Sequence, residues 1–82
     1  MNEVKYQIAV AFKLTPKLTE LLFTLYTRPI VPLGEVNAVL MHRLRKETWG
    51  KIRINTKRYL GYWLSDETKL AIRQMIEVQQ EN

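Results

Sequence analysis

Two alternating runs near the centre of the chain constrain its fold most. Ile52 and Ile54 alternate with Lys51, Arg53 and Asn55, and Leu60, Tyr62 and Leu64 alternate with Tyr59, Gly61 and Trp63. Period-two alternation turns the apolar side chains to one face of a strand. Two such runs joined through Asn55–Arg58 predict a β-hairpin over about 51–64 with a basic tip. In this reading Ile52, Ile54, Leu60 and Tyr62 are structural. The 82 residues allow one domain, 1–82, and a chain this short must use its core well. It has no cysteine, which removes disulfides and thiolate metal sites.

The segments before and after the hairpin carry their own signals. Tyr6, Ile8, Val10, Phe12 and Leu14 alternate with Lys5, Gln7, Ala9, Ala11 and Lys13, which predicts an N-terminal strand with one buried face. Thr15-Pro16 supplies a helix cap and a first-turn proline. Leu18, Leu21, Leu22 and Leu25 follow at helical spacing, so a helix is expected over about 16–28, ended by Arg28-Pro29. The extended stretch Pro29-Ile30-Val31-Pro32 can pair as a brief edge strand. A second helix is expected over about 33–47, with Val36, Val39, Leu40 and Leu44 as its apolar face. The opposite face then carries Ala38, Met41, His42 and Arg45, with Lys46 at its border and Arg43 near the apolar side. Ser65, followed by Asp66 and Glu67, opens a last helix over about 66–79. Its apolar arc is Ala71, Ile72, Met75, Ile76 and Val78, with Leu70 outside it.

Charge is concentrated where the second helix meets the hairpin. Residues 42–58 hold seven Lys or Arg against one Glu, within a chain of net charge +5. A helix ending in His42-Arg43-Leu44-Arg45-Lys46 and running into a basic hairpin is a winged-helix arrangement. The major groove of B-DNA admits a helix whose side chains meet base edges. Cations on helix and hairpin together neutralise phosphates and release counterions. The expectation is a small α+β winged-helix domain that binds double-stranded DNA in a sequence-specific way and regulates transcription. Its contacts would come from Ala38, Met41, His42, Arg43, Arg45 and Lys46 on the helix and from Thr56, Lys57 and Arg58 on the wing.

The residues also resemble a family. His42-Arg43-Leu44-Arg45-Lys46, a spacer, and Ile54-x-Thr56-x-Arg58-x-x-Gly61-Tyr62-x-Leu64 resemble the C-terminal half of the winged-helix DNA-binding domains of OmpR/PhoB-type response regulators. Leu14-Thr15-Pro16-Lys17, followed by Leu21-Leu22, resembles the opening of that family's first helix. The resemblance covers roughly 14–64. It implies that Arg43, Arg45 and Lys46 lie on a recognition helix and that Thr56 and Arg58 lie in the wing, with Arg58 toward the minor groove. It also implies that Gly61 permits a tight backbone while Tyr62 and Leu64 pack inward. The chain departs from the pattern in three places. One N-terminal strand stands where the family opens with a four-stranded sheet. About five residues, 29–33, separate the two long helices, so a positioning helix is lost or 33–47 breaks into two pieces. Tyr59 occupies the place of the wing's usual glycine. These 82 residues hold no receiver domain, so the expectation is a stand-alone, shortened relative of the sort carried by phages or mobile elements.

Other classes find less support. One histidine without clustered carboxylates makes no metal site, and no Gly-rich phosphate loop or nucleophile–base pair is present, so neither a cofactor nor catalysis is expected. The N-terminus lacks a signal-peptide pattern and no apolar run approaches a membrane span, so the protein is expected in the cytoplasm without membrane contact. Two alternatives remain open: a winged-helix adaptor or phage-type inhibitor that binds a host protein or nucleoprotein complex, and an architectural DNA binder such as an excision factor. The last helix either completes the core or forms a homodimer interface.

Overall fold

The computed structural model describes residues 2–80. Its elements run α1 (Glu3–Phe12), α2 (Pro16–Thr27), a 3₁₀ turn (Leu33–Glu35), α3 (Ala38–Glu47), β1 (Asn55–Lys57), β2 (Gly61–Trp63) and α4 (Asp66–Gln80).

The first element is a helix, which corrects the expected N-terminal strand. The Asn2 side chain caps it by accepting from the Val4 N–H at 2.8 Å, and Lys13 ends it in the left-handed region at φ 54°. The period-two pattern misled because Ile8 and Phe12 satisfy both periods. Those two are buried, with Val4 and Ala11 half-buried beside them, whereas Tyr6 and Val10 are exposed. The stripe is therefore i, i+4 and packs on α2 and α4.

Helix α2 matches expectation, capped by Thr15 and burying Leu18, Leu22 and Leu25. Two exposed carboxylates form surface ion pairs. Glu20 meets Lys5 at 2.7 Å and Glu35 meets Arg28 at 2.7 Å; at such exposure each pair is worth under about 1 kcal/mol.

The stretch 33–47 breaks in two. Asn37 accepts from the Val39 and Leu40 N–H groups and so starts α3 at Ala38. Val36 is extended, and the 3₁₀ turn before it stands where a positioning helix would lie. This resolves the short connection in favour of two pieces.

The hairpin is shorter than its alternation suggested. β1 and β2 pair antiparallel with Asn55 opposite Trp63, Thr56 opposite Tyr62 and Lys57 opposite Gly61. The tip is Arg58-Tyr59-Leu60. Ile52 and Ile54 precede β1 and still pack against the core, but Leu60, read as structural, is exposed. The expected edge pairing at 29–32 is a single bridge in which Val31 and Tyr62 exchange N–H···O bonds of 2.8 and 2.9 Å. One core unites these parts: Ile8, Phe12, Leu18, Leu22, Leu25, Val31, Met41, Leu44, Leu64, Ile72 and Ile76. The three central elements α2, the 3₁₀ turn and α3, followed by the hairpin and a closing helix, make a winged-helix-type α+β topology.

Candidate nucleic-acid interface

Helix α3 is the base of the site, and its phase decides what faces outward. Its inward positions are Leu40, Met41, Leu44 and the following Thr48. Thr48 is buried because its hydroxyl donates back to the Leu44 carbonyl at 2.7 Å, which satisfies the polar group within its own turn. The open face therefore carries Ala38, Val39, His42, Arg43 and Lys46, all exposed. Met41 and Val39 exchange faces relative to expectation. Met41 was assigned to the open face but is 3 % exposed and belongs to the core; Val39 was assigned to the apolar face and is 62 % exposed. Arg43 is exposed at the edge of the open face, where it shares a groove with half-buried Leu40 and so stays near the apolar side.

Arg45, expected as an open contact, is half-buried and holds the wing to the helix. Its guanidinium donates to the Ile54 carbonyl at 3.3 Å and lies 5.7 Å from the centre of the Tyr62 ring, within cation–π reach. A carbonyl just before β1 and a ring on β2 are thus both anchored by one side chain of α3.

The wing residues are exposed at Thr56, Lys57 and Arg58. Thr56 keeps a structural duty as well, its hydroxyl donating to the Gly61 carbonyl at 3.1 Å. Between helix and wing, Lys51 and Arg53 are also exposed. Along the sequence Arg43, Lys46, Lys51, Arg53, Lys57 and Arg58 make a run of six exposed cations, of which Lys51 and Arg53 border the start of α4. Among the described residues the two ion pairs are those of Lys5 and Arg28, so none of the six forms one, although Glu47 borders Arg43 and Lys46 and Glu67 borders Lys51 and Arg53.

Sequence reasoning missed two contributors. Lys17 and the start of α2 share a groove of about 700 Å³ with Leu40, Arg43, Lys46 and Glu47. Lys17 therefore extends the cationic surface around the α2 N-terminus, where unpaired N–H groups favour anions. Its signal was the Thr-Pro-Lys opening, read there only as a helix start. Trp49, just past α3, is 84 % exposed and lines an apolar recess with Arg45, Ile52, Arg53 and Ile54.

Among the described residues no three of His, Cys, Asp and Glu gather in a way that could hold a metal ion. No described helix is long and apolar enough to cross a membrane. No protein-family model, curated protein or solved structure matches this chain.

Proposed function

We propose that the protein is a sequence-specific double-stranded DNA-binding protein acting in transcription, a binding module rather than an enzyme. In this reading α3 enters the major groove with His42, Arg43 and Lys46 toward bases and phosphates. The wing contacts the flanking backbone and minor groove through Thr56, Lys57 and Arg58. One observation carries the reading: six exposed cations on helix, loop and wing form no ion pair among the described residues. Such charges repel one another until a polyanion neutralises them, and released counterions then supply affinity. The winged-helix-type topology supports it, as does the likeness of Arg43-Leu44-Arg45-Lys46 and Thr56-x-Arg58-x-x-Gly61-Tyr62 to OmpR/PhoB-type domains. Selection of bound duplexes from random DNA by the purified protein tests it. Enrichment of a defined motif is expected, and recovery of unenriched sequence at moderate salt contradicts base readout.

The proposed binding unit is a homodimer through α4. Leu70, Gln74 and Val78 are exposed along one line of α4, flanked by exposed Arg73 and Glu77, neither of which has an ion-pair partner among the described residues. An antiparallel copy related by a two-fold near Gln74 would set Leu70 beside Val78 and Arg73 against Glu77 of the copy, and the reverse. A two-fold surface must be self-complementary in this way. Sedimentation equilibrium is expected to give a dimer, Arg73→Glu a monomer, and Arg73→Glu with Glu77→Arg a restored dimer. A monomeric wild type at high concentration contradicts it.

Exposed Trp49 favours a second reading, a winged-helix adaptor that docks a protein partner. Aromatic residues anchor such interfaces. Stable capture of one protein, with no duplex bound at about 50 mM salt, would favour it over DNA binding.

A further inference from the structure

The wing tip is built against backbone preference. The Lys57 carbonyl accepts from the Leu60 N–H at 3.0 Å, closing a four-residue turn around Arg58 and Tyr59. Tyr59 holds the third position of that turn at φ 68°. Type II turns put a positive φ there and favour Gly or Asn for it, and a bulky residue with positive φ is an outlier. The side chain so held is 86 % exposed and that of Leu60 beside it 51 %. Neither belongs to the core or packs against it. The Arg58 guanidinium carbon stands 5.0 Å from the Tyr59 ring centre, within cation–π range. The tip therefore presents a flat ring, an aliphatic side chain and a cation together, at the end of strands three residues long.

Strain concentrates where a structure uses it. A ring and an aliphatic side chain at the end of a basic hairpin have little to gain from water, but a minor groove can receive both. Minor-groove proteins insert apolar wedges between base steps, and arginine is drawn to the groove's negative potential. Resting on the DNA-binding reading above, we propose that Tyr59, backed by Leu60, is a wedge that enters the minor groove and partly unstacks one base step. Arg58 guides it in. The duplex then bends toward its major groove, where α3 lies. The preferred target carries a deformable pyrimidine–purine step under the wing, TA or CA, and selectivity at that step comes from the cost of unstacking rather than from hydrogen bonds.

The test uses a duplex recovered by selection, with 2-aminopurine at the purine of that step and a donor–acceptor pair on its ends. Wild type is expected to raise 2-aminopurine fluorescence and to bring the ends closer. Tyr59→Gly relieves the turn, so its melting temperature should equal or exceed that of wild type. It should nevertheless bind roughly tenfold more weakly, as for loss of one base–aromatic stack, with neither unstacking nor bending. Tyr59→Phe should behave as wild type. Wild-type binding with no fluorescence rise, or unstacking by Tyr59→Gly equal to that of wild type, overturns the wedge and leaves DNA binding intact. Failure of wild type to bind any duplex overturns the DNA-binding reading and the wedge with it.

Discussion

Replacing Gly61 by alanine should cost roughly 2–4 kcal/mol of folding stability, combining backbone strain with lost hydrogen bonds. Gly61 has φ 150°, and a β-carbon there would run into the carbonyl oxygen of Val31 and stand 3.1 Å from the Cα of Pro32. Both neighbours are backbone atoms, so neither can swing aside. Relief requires β2 to move away from Val31, which breaks the mutual bonds between Val31 and Tyr62. A domain of this length is stable by only about 4–12 kcal/mol, so the loss is a large share of the total. The urea midpoint of Gly61→Ala measures it. Gly34→Ala serves as comparison: nothing lies within 4 Å of a β-carbon there, so its midpoint should shift by less than the equivalent of about 0.5 kcal/mol.

Met41→Ala should destabilise by about 2–5 kcal/mol, while Val39→Ala should change stability by no more than about 0.5 kcal/mol. The two residues are two positions apart on α3, and the contrast reports its phase. Met41 lies in the core beside Leu44, and truncation leaves a cavity that the surrounding helices fill only in part. Val39 stands on the open face, and alanine is the better helix former. Equal effects, or a larger one at Val39, would mean that α3 turns a different face outward and that Arg43 and Lys46 do not share the open side. The same pair separates stability from binding, because Val39→Ala leaves the fold intact in the middle of the proposed contact face.

Much of the fold was legible because several residues allow one local structure each. Thr15-Pro16 starts α2 and Arg28-Pro29 ends it; Ser65 caps α4 by accepting from the Thr68 N–H. Gly61, inside the Gly-Tyr-x-Leu pattern, marks the one place where β2 can approach Val31. The misreadings also have physical causes. In α1, Ile8 and Phe12 are four apart, which is two strand periods and about one helical turn, so the burial pattern alone could not separate them. The signs that could were Asn2 as a cap and the helix-favouring Ala9 and Ala11. In α3 the apolar pattern begins with Val36, which lies outside the helix because Asn37 starts it. Thr48, the last buried position, is polar and escapes any hydropathy reading. The site followed the same logic. Its cations were visible as a charge run, but which of them stay free depended on the phase. Arg45 turned inward to brace the wing, Arg43 turned outward, and Lys17 joined from α2 by tertiary packing that no local pattern encodes.

The most direct test of the DNA-binding reading is the salt dependence of duplex binding, followed by fluorescence anisotropy between about 50 and 200 mM salt. With four to six of the exposed cations meeting phosphates, log K against log salt should fall with a slope of about −4 to −5, since each contact contributes about −0.9. Arg43→Ala with Lys46→Ala should flatten that slope by about 2, with an unchanged urea midpoint because both side chains are exposed. A flat salt dependence for wild type, or a double variant that binds with the wild-type slope and affinity, would contradict the assignment of α3 and the wing as a DNA-binding surface.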